Sequence, residues 1–361
     1  LHTSHYNLIY PRSIDSLARV VARELDHYYP MVSNNQNKKR KVEVILHNTS
    51  VISNGFVTLA PERMELVSTP PVETYAQDWI SQLALHESRH VVQLEMLNRG
   101  FTRVFGLATG QISRGLASAM IPSWLFEGDA VVHESLYSNS GRARSAAFLM
   151  PLRTLLIQHP RDFSFDKAVF GSYREYVPDH YQYGYALTRY GTASFGSNLW
   201  NDGFHYVARN MPAVWPLAFY LKKRTGMFKS GLYYHAIDSF KALYSNNKSN
   251  INYSEYLRHN SGKKVYTNYI QAHQLSKDSV IAISRGYRDA GSIVAISNGK
   301  VRRIVSMGRS LTPRMDYKFQ RVVWDETEND PRWAQRSYSV IKMLDMQSGR
   351  VKQLTKKSRY F

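Results

Sequence analysis

The pattern of hydrophobic and polar positions changes twice along the chain. Up to about residue 67, a helical pattern over residues 14–28 alternates with strand-like apolar segments at residues 8–10, 42–46 and 64–67. From about residue 74 to residue 244 the apolar positions recur with helical spacing, and short runs rich in valine and isoleucine follow after about residue 265. We therefore predict an α+β protein with a small N-terminal sheet, a mainly helical body and an all-β C-terminal region.

Turn signals and polar stretches suggest how these regions are divided. Asn54-Gly55 predicts a turn between short strands at residues 51–52 and 56–59. A polar stretch at residues 245–250 and a turn at residues 260–262 bracket a boundary. We predict two domains on either side of it, residues 1–262 and residues 263–361.

The C-terminal region contains a short internal repeat. Residues 297–301 (SNGKV) and 347–351 (QSGRV) each combine a hairpin turn with a basic residue and a valine, at the roughly 50-residue spacing of propeller blades. With Asp345 and Leu354-Thr355, the second turn resembles the strand endings of TolB-like β-propeller repeats. Two blades cannot close a ring and leave strand edges exposed, so we expect the natural chain to continue beyond Phe361. The predicted strands cover residues 279–284, 292–297, 301–306, 321–325, 339–346 and 350–355.

The amino-acid composition limits the kinds of metal site and partner that the chain can have. The chain has no cysteine, which excludes disulfides, iron–sulfur clusters and thiolate zinc sites, so a metal ion would need histidine and carboxylate ligands. The excess of 47 Lys+Arg over 28 Asp+Glu gives a net charge of +19, which favours anionic surfaces. The basic residues are scattered without a nucleic-acid-binding module, so we do not expect a nucleic-acid partner, whereas an anionic membrane surface stays open. No run of residues approaches the ~18 apolar positions of a membrane span, and the start at Leu1 without a signal-peptide pattern predicts a mature or trimmed form.

Residues 86–90 (HESRH) match the H-E-x-x-H pattern, in which both histidines share one face if the segment is helical. Thr74, with a glutamine three residues later, has capping-box spacing, and Gly100 supplies a stop, so we predict a helix between them. Leucines on the same stripe direct His86 and His90 inward. The pentapeptide alone also fits histidines that are hydrogen-bonded in an ordinary core, with Glu87 at the surface or in a salt bridge.

A second helical segment adds a carboxylate. Residues 122–134 (PSWLFEGDAVVHE) begin with a capping serine after proline and continue as an apolar helix with Glu127 and Glu134 on one face. A buried charge is costly unless it is paired or bound to a metal, so Glu127 needs a cation. Asp129 and His133 are weaker candidates for a supporting role, and we expect them to face elsewhere.

Together, the patterns H-E-x-x-H and W-L-x-E-G-x-A-x-x-x-E resemble the gluzincin metallopeptidases, in particular the peptidase MA-like and aminopeptidase N-like families. The resemblance implies a zincin-type catalytic domain that binds Zn²⁺ through His86, His90 and Glu127. It also implies that Glu87 activates the attacking water and that Glu134 orients a ligand histidine. The expected reaction is hydrolysis of a peptide or protein substrate by metal-activated water.

A third segment, residues 181–187 (YQYGYAL), resembles the Y-x-x-G-[FY]-A-L segment of aminopeptidase N-like enzymes. The resemblance implies that Tyr181 donates a hydrogen bond to the developing oxyanion, with Tyr183 as the second candidate. Aromatic packing in this tyrosine-rich region is the alternative explanation.

The chain also departs from the aminopeptidase pattern. The gap between His90 and Glu127 is longer, and its glycine-containing apolar residues 101–121 suggest a lid or substrate-gorge element. The G-x-M-E-N segment that captures a free amino terminus does not precede the zinc motif, and residues 54–59, where an active-site edge strand is expected, contain no glutamate. Substrate specificity is therefore unassigned.

Two other functions stay open on the sequence. One is a non-catalytic cell-envelope scaffold with a peptidase-like fold, in which zinc is structural or absent. The other is a binder of nucleic acid or anionic lipid, suggested by the positive charge. By analogy with TolB-like propellers joined to peptidase-like domains, we expect an exported protein of the bacterial periplasm or cell envelope, with a protein partner at the propeller region.

Overall fold

The structure, a computed structural model, describes residues 1–33, 41–72, 76–159, 162–246 and 264–358. It is 45% helical and 23% strand, and none of its sheets is closed. The prediction of an α+β protein is therefore confirmed at the level of mixed helix and sheet. Within the described residues, no helix is both long enough and apolar enough to cross a membrane.

The described part of the chain forms the following helices and strands, each series numbered in chain order. The helices are α1 (Asp15–Ser33), α2 (Trp79–Met96), α3 (Gly100–Thr109), α4 (Ile112–Ala119), α5 (Ser123–Leu136), α6 (Ala146–Gln158), α7 (Phe165–Phe170), α8 (His180–Phe195), α9 (Leu199–Arg209), α10 (Pro216–Thr225) and α11 (Lys229–Asn246). The strands are β1 (Tyr6–Ile9), β2 (Val42–His47), β3 (Gly55–Thr58), β4 (Arg63–Val67), β5 (Thr267–Ser276), β6 (Ser279–Gly286), β7 (Ser292–Ser297), β8 (Lys300–Ser306), β9 (Met315–Lys318), β10 (Arg321–Asn329), β11 (Ser337–Asp345) and β12 (Val351–Gln353).

The first four strands form one sheet in the order β1-β2-β4-β3. Strands β1 and β4 run parallel to β2, whereas β3 pairs antiparallel with β4 and lies at the sheet edge. The predicted turn at Asn54-Gly55 is wrong, because residues 51–52 form no strand and β3 pairs with the strand that follows it. The backbone N–H of Val51 instead donates to the Ser337 hydroxyl at 3.0 Å, which ties this segment to the C-terminal region.

Helix α2 packs against both α1 and α5, and its inner face belongs to a hydrophobic core that also includes residues of the first sheet. The helix begins where the Asp78 side chain accepts a hydrogen bond from the Ile80 N–H at 2.8 Å. The predicted cap, Thr74, lies outside the described residues. The helix ends shortly before Gly100, so residues 86–90 are helical as predicted.

The C-terminal region consists of two four-stranded antiparallel sheets, in the orders β5-β6-β7-β8 and β12-β11-β10-β9. Each of the six predicted strands corresponds to an observed one, and both predicted turns contain a glycine with positive φ, Gly299 at 74° and Gly349 at 68°. Strands β5 and β9 are additional, because neither carries a run of valine and isoleucine. A second apolar cluster contains residues of both sheets. The predicted domain boundary at 262/263 falls outside the described residues, so the division stays a prediction.

Helices α5 and α8 pack backbone to backbone. A Cβ atom on Gly128 would collide with the backbone of Gly184, and one on Gly184 would collide with the carbonyl oxygen of Trp124. A side chain at either position would force the helices apart, since neither backbone can give way as a flexible side chain could. The glycines of the E-G and Y-x-x-G patterns therefore contact each other, which gives both a packing role.

Gly128→Ala should destabilise the protein by about 2 kcal/mol, because the added methyl group separates α5 from α8. Urea unfolding followed by circular dichroism measures the change. Gly115→Ala on α4 is the matched control, since a Cβ there meets no atom within 4 Å. We expect this control to stabilise the protein by about 0.5 kcal/mol or to leave it unchanged. Similar destabilisation by both substitutions would contradict the close contact.

Candidate metal centre

Helices α2 and α5 bring the three predicted metal ligands together. The Glu127 Oε2 atom lies 3.3 Å from His86 Nε2 and 3.4 Å from His90 Nε2. The two Nε2 atoms are 3.1 Å apart, and the imidazole rings meet edge to face at 89°. Among the described residues, these side chains form a group that could hold a metal ion.

Hydrogen bonds at the far side of each ring leave Nε2 as the ligand atom. His86 Nδ1 lies 2.9 Å from Glu134 Oε2, and His90 Nδ1 lies 2.7 Å from Gln93 Oε1. Both partner atoms are acceptors, so each Nδ1 carries the proton and each Nε2 presents a lone pair. Three electron-rich atoms, one each from His86, His90 and Glu127, therefore converge without a hydrogen between them. That arrangement needs a cation.

The spacing and the chemistry of these atoms fit zinc. Nitrogen and oxygen ligands at ~2.0–2.2 Å from a tetrahedral zinc ion lie about 3.3 Å from one another. The three ligand atoms here are 3.1, 3.3 and 3.4 Å apart. Glu127 Oε2 is also buried without a hydrogen-bond partner, as expected for an atom that a metal satisfies. Two imidazoles and a carboxylate suit other divalent transition metals as well, so the choice of zinc rests on the resemblance.

Without a metal, a proton supplies the positive charge. Burial opposes a charged His90, but the close Glu127 carboxylate and its negative charge outweigh burial and raise the pKa of His90 to about 9. Burial also opposes the charged form of Glu127, yet its contacts with His86 and His90 hold the pKa of Glu127 well below its usual range. The carboxylate is thus ionised and available as a ligand.

The structure places Glu134 beside His86, as the resemblance implies, and adds Arg142 to this pair. Glu134 is fully buried, and its Oε1 atom accepts from the Arg142 backbone N–H and from Nε, both at 2.8 Å. Burial alone would raise the pKa of Glu134, but Arg142 and His86 lower it to about 2. Arg142 Nη2 also lies 2.7 Å from His86 Nδ1, but both atoms carry hydrogen, so each donates to Glu134 Oε2, which lies 3.0 Å from Arg142 Nη2. No motif in the sequence marks Arg142, which follows α5 in a 3-10 turn.

A second chain of contacts supports His90. Gln93 Nε2 donates to the Phe126 carbonyl oxygen at 2.9 Å and to Asp129 Oδ2 at 2.7 Å, which leaves Gln93 Oε1 free to accept from His90. Asp129 is held in turn by the fully buried Arg89, whose Nε lies 2.7 Å from the same oxygen. The expectation that Asp129 faces away is therefore wrong. Gln93 was not predicted, although it lies on the same helix three residues after His90.

Glu87 lies next to the ligands but does not belong to the group. It is only 3% exposed, and its Oε2 atom has no hydrogen-bond partner. Burial raises the pKa of Glu87, although the nearby histidines oppose the shift. Its side chain borders two adjoining cavities of about 290 Å³ and 220 Å³. Both cavities are lined by Gly55, His86, Glu87 and Tyr181, so they form one cleft along the ligands.

The two candidate tyrosines on α8 have different surroundings. Tyr181 lines the cleft, and the Arg142 guanidinium carbon lies 4.8 Å from the centre of its ring. A capping box formed by Asp179 fixes the start of α8, two residues before Tyr181. Burial, followed by the charge of Glu127, raises the pKa of Tyr181 to about 12, so its hydroxyl is protonated at neutral pH. Tyr183 is buried beside Tyr233, with ring centres 5.9 Å apart, and lines neither cavity.

Strand β3 forms one wall of the cleft. Gly55, Phe56 and Val57 line the larger cavity, and β3 pairs only with β4 among the described strands, so its other edge is unpaired there. A Cβ atom on Gly55 would lie 2.8 Å from Leu83 and 3.0 Å from Glu87 Oε1, which explains the glycine at this point. Among the described residues that line the two cavities, the carboxylates are Glu87, Glu127 and Glu134.

Comparison with protein-family models, with curated proteins and with solved structures finds no match to this chain. The likeness to gluzincins is therefore carried by the three sequence motifs and stays a resemblance.

Glu134→Gln should weaken zinc binding about 10- to 100-fold, because the neutral amide holds the His86 ring and its proton less firmly than the carboxylate does. Competition with a chromophoric chelator measures the affinity. Glu175→Gln removes the same charge at an exposed residue and should leave the affinity unchanged. Equal zinc affinity in the wild type and in Glu134→Gln would show that the contact with His86 has no such role.

Proposed function

We propose that this protein is a zinc-dependent peptidase of the gluzincin type. The observation that carries the proposal is the position of Glu87. Its buried carboxylate has an unpartnered oxygen and borders a cleft that also contains the three converging ligand atoms. A structural metal site would not need a second, unpaired carboxylate beside it, whereas hydrolysis requires a base there.

The residues of the cleft have different roles in peptide hydrolysis. His86, His90 and Glu127 would hold the zinc ion, which would supply Lewis-acid polarisation of the water and of the substrate carbonyl. Glu87 accepts a proton from the attacking water and passes it to the amine that leaves when the C–N bond breaks. Tyr181 lies on α8 and is protonated, so it donates a hydrogen bond to the substrate oxygen on which negative charge develops.

The shape of the cleft supports an extended peptide as the substrate. Among the described strands, β3 has one unpaired edge, whose backbone N–H and C=O groups lie along one wall of the cleft, so a peptide can add to the sheet as a further strand. Cavities adjoin Glu87 on both sides, and among the described residues their lining contains no carboxylate for a free amino terminus beyond the three already assigned. These features favour cleavage within a chain over removal of a terminal residue.

The alternative of a non-catalytic scaffold predicts either a site that binds no metal or a metal site closed by a fourth protein ligand. Among the described residues, the group that could hold a metal has three members, and a cleft adjoins it. The TolB-like propeller, its protein partner and the location in the periplasm or cell envelope stay predictions from the resemblance.

Glu87→Gln should retain zinc and lose about 10²- to 10⁴-fold in kcat, because the amide cannot accept the proton of the water. The substitution keeps the size of the side chain, so metal content measured by plasma mass spectrometry is the control for an intact site. Hydrolysis of a denatured, fluorescently quenched protein substrate reports turnover. Full activity in a variant that still contains zinc would refute the proposed mechanism.

Tyr181→Phe should lower kcat about 10²-fold with little change in KM, because the hydroxyl contacts the substrate oxygen only as charge develops. Tyr183→Phe is the matched control: it removes a hydroxyl two residues away that faces Tyr233 and lines neither cavity. We expect Tyr183→Phe to keep its kcat. If the control loses activity and Tyr181→Phe does not, the two roles are reversed.

A further inference from the structure

The helical hairpin between the two ligand helices has a reversed distribution of polarity. This α3–α4 hairpin comprises residues 100–119 and exposes five large apolar side chains, which are Phe101, Val104, Leu107, Ile112 and Leu116. Leu107 is 87% exposed and Val104 65% exposed. The buried residues of the same helices are mostly polar, namely Thr102, Ser113, Arg114 and Ala117. A helix that packs on a core in water shows the opposite arrangement.

The polar side of the hairpin attaches it firmly to the rest of the protein. Thr102 donates to the Ala208 carbonyl oxygen of α9 at 2.8 Å. Gln111 Oε1 accepts from the backbone N–H groups of Ala60 and Glu62, at 2.9 and 2.6 Å. These bonds attach the hairpin at its start and at its turn, so its apolar face points away from the protein.

Basic residues are exposed on and beside this face. Between Glu95 and Glu127 the chain contains three arginines and no acidic residue, and the whole protein has a net charge of +19. Arg103 is exposed on the hairpin, whereas Arg114 is buried in an ion pair with Glu62. The start of the hairpin touches the end of α9, since a Cβ on Gly100 would lie 2.8 Å from Arg209 Cα. The loop after α9 exposes a further aromatic side chain, Trp215, at 76%. Arg209 itself is exposed and adds a further positive charge at the contact with the hairpin.

We infer that the apolar face of the α3–α4 hairpin docks on an anionic lipid bilayer. Aliphatic and aromatic side chains on one helical face enter the boundary between headgroups and acyl chains, while exposed arginines beside them contact lipid phosphates. The hairpin itself has no acidic residue that such a membrane would repel, and Glu62, which contacts it, is paired with Arg114. The net positive charge also opposes association of two copies through this face. The inference does not depend on the proposed peptidase activity.

Co-sedimentation with lipid vesicles tests the docking surface. The wild-type protein should bind vesicles of phosphatidylcholine mixed with phosphatidylglycerol, and more weakly vesicles of phosphatidylcholine alone. The double variant Leu107→Glu with Ile112→Glu should bind the anionic vesicles about tenfold or more weakly, because it replaces two inserting side chains by charges. The matched control is Phe170→Glu with Tyr173→Glu, which introduces the same two charges at exposed residues outside the hairpin.

The lack of cysteine allows a second, independent measurement. Leu107→Cys can be labelled at a single site with an environment-sensitive nitrobenzoxadiazole dye, and its emission should shift to the blue when anionic vesicles are added. The same dye at Phe170→Cys should not respond. The inference is overturned if the wild type binds no vesicles, or if both double variants lose binding equally, which would indicate a general charge effect. A blue shift that depends on protein concentration without lipid, with a dimer in analytical ultracentrifugation, would instead assign the face to a second copy of the chain.

Discussion

The backbone contact between α5 and α8 is the constraint on which the geometry of the site depends. Gly128 directly follows Glu127, the proposed metal ligand, and Gly184 lies three residues after Tyr181, so the two glycines couple both candidate site residues to one contact. Since no side chain separates the helices, neither can move without opening a gap in the core. The helix contact therefore keeps Glu127 and Tyr181 in the lining of the same cleft, although they are distant in the sequence.

Around this contact the protein buries charged groups and satisfies nearly all of them. Arg89 pairs with Asp129, and Glu134 is held between His86 and Arg142. The buried carboxylate oxygens without a hydrogen-bond partner among the described residues are those of Glu87 and Glu127, and both residues line the cleft. A buried carboxylate oxygen without a partner is costly, so two of them side by side indicate a place where a ligand or a reaction supplies the missing partner. These two unpartnered carboxylates thus indicate the candidate metal site without reference to any sequence motif.

Much of the fold and of the site could be predicted from residue spacing, and the misses share one cause. Helical spacing predicted the α2 and α5 segments, and runs of valine and isoleucine predicted six strands of the C-terminal sheets. The expected strand at residues 51–52 is absent, because the backbone there forms a hydrogen bond with Ser337. No local sequence pattern predicts a contact between such distant residues. Spacing also cannot show which face of an amphipathic helix is buried. In the α3–α4 hairpin, the polar face is the inner one.

The sequence by itself determined that His86, Glu87 and His90 share one helix and that Glu127 and Glu134 share another, because spacing within a helix is local geometry. Only the tertiary structure decided that these two helices meet with ligand atoms 3.1 to 3.4 Å apart. It also separated Tyr181, which lines the cleft, from Tyr183, which is buried beside Tyr233. The supporting roles of Gln93 and Arg142 became visible at the same level. Such relations depend on where distant segments return in space, and that is set by packing of the whole core and not by the order of neighbouring residues.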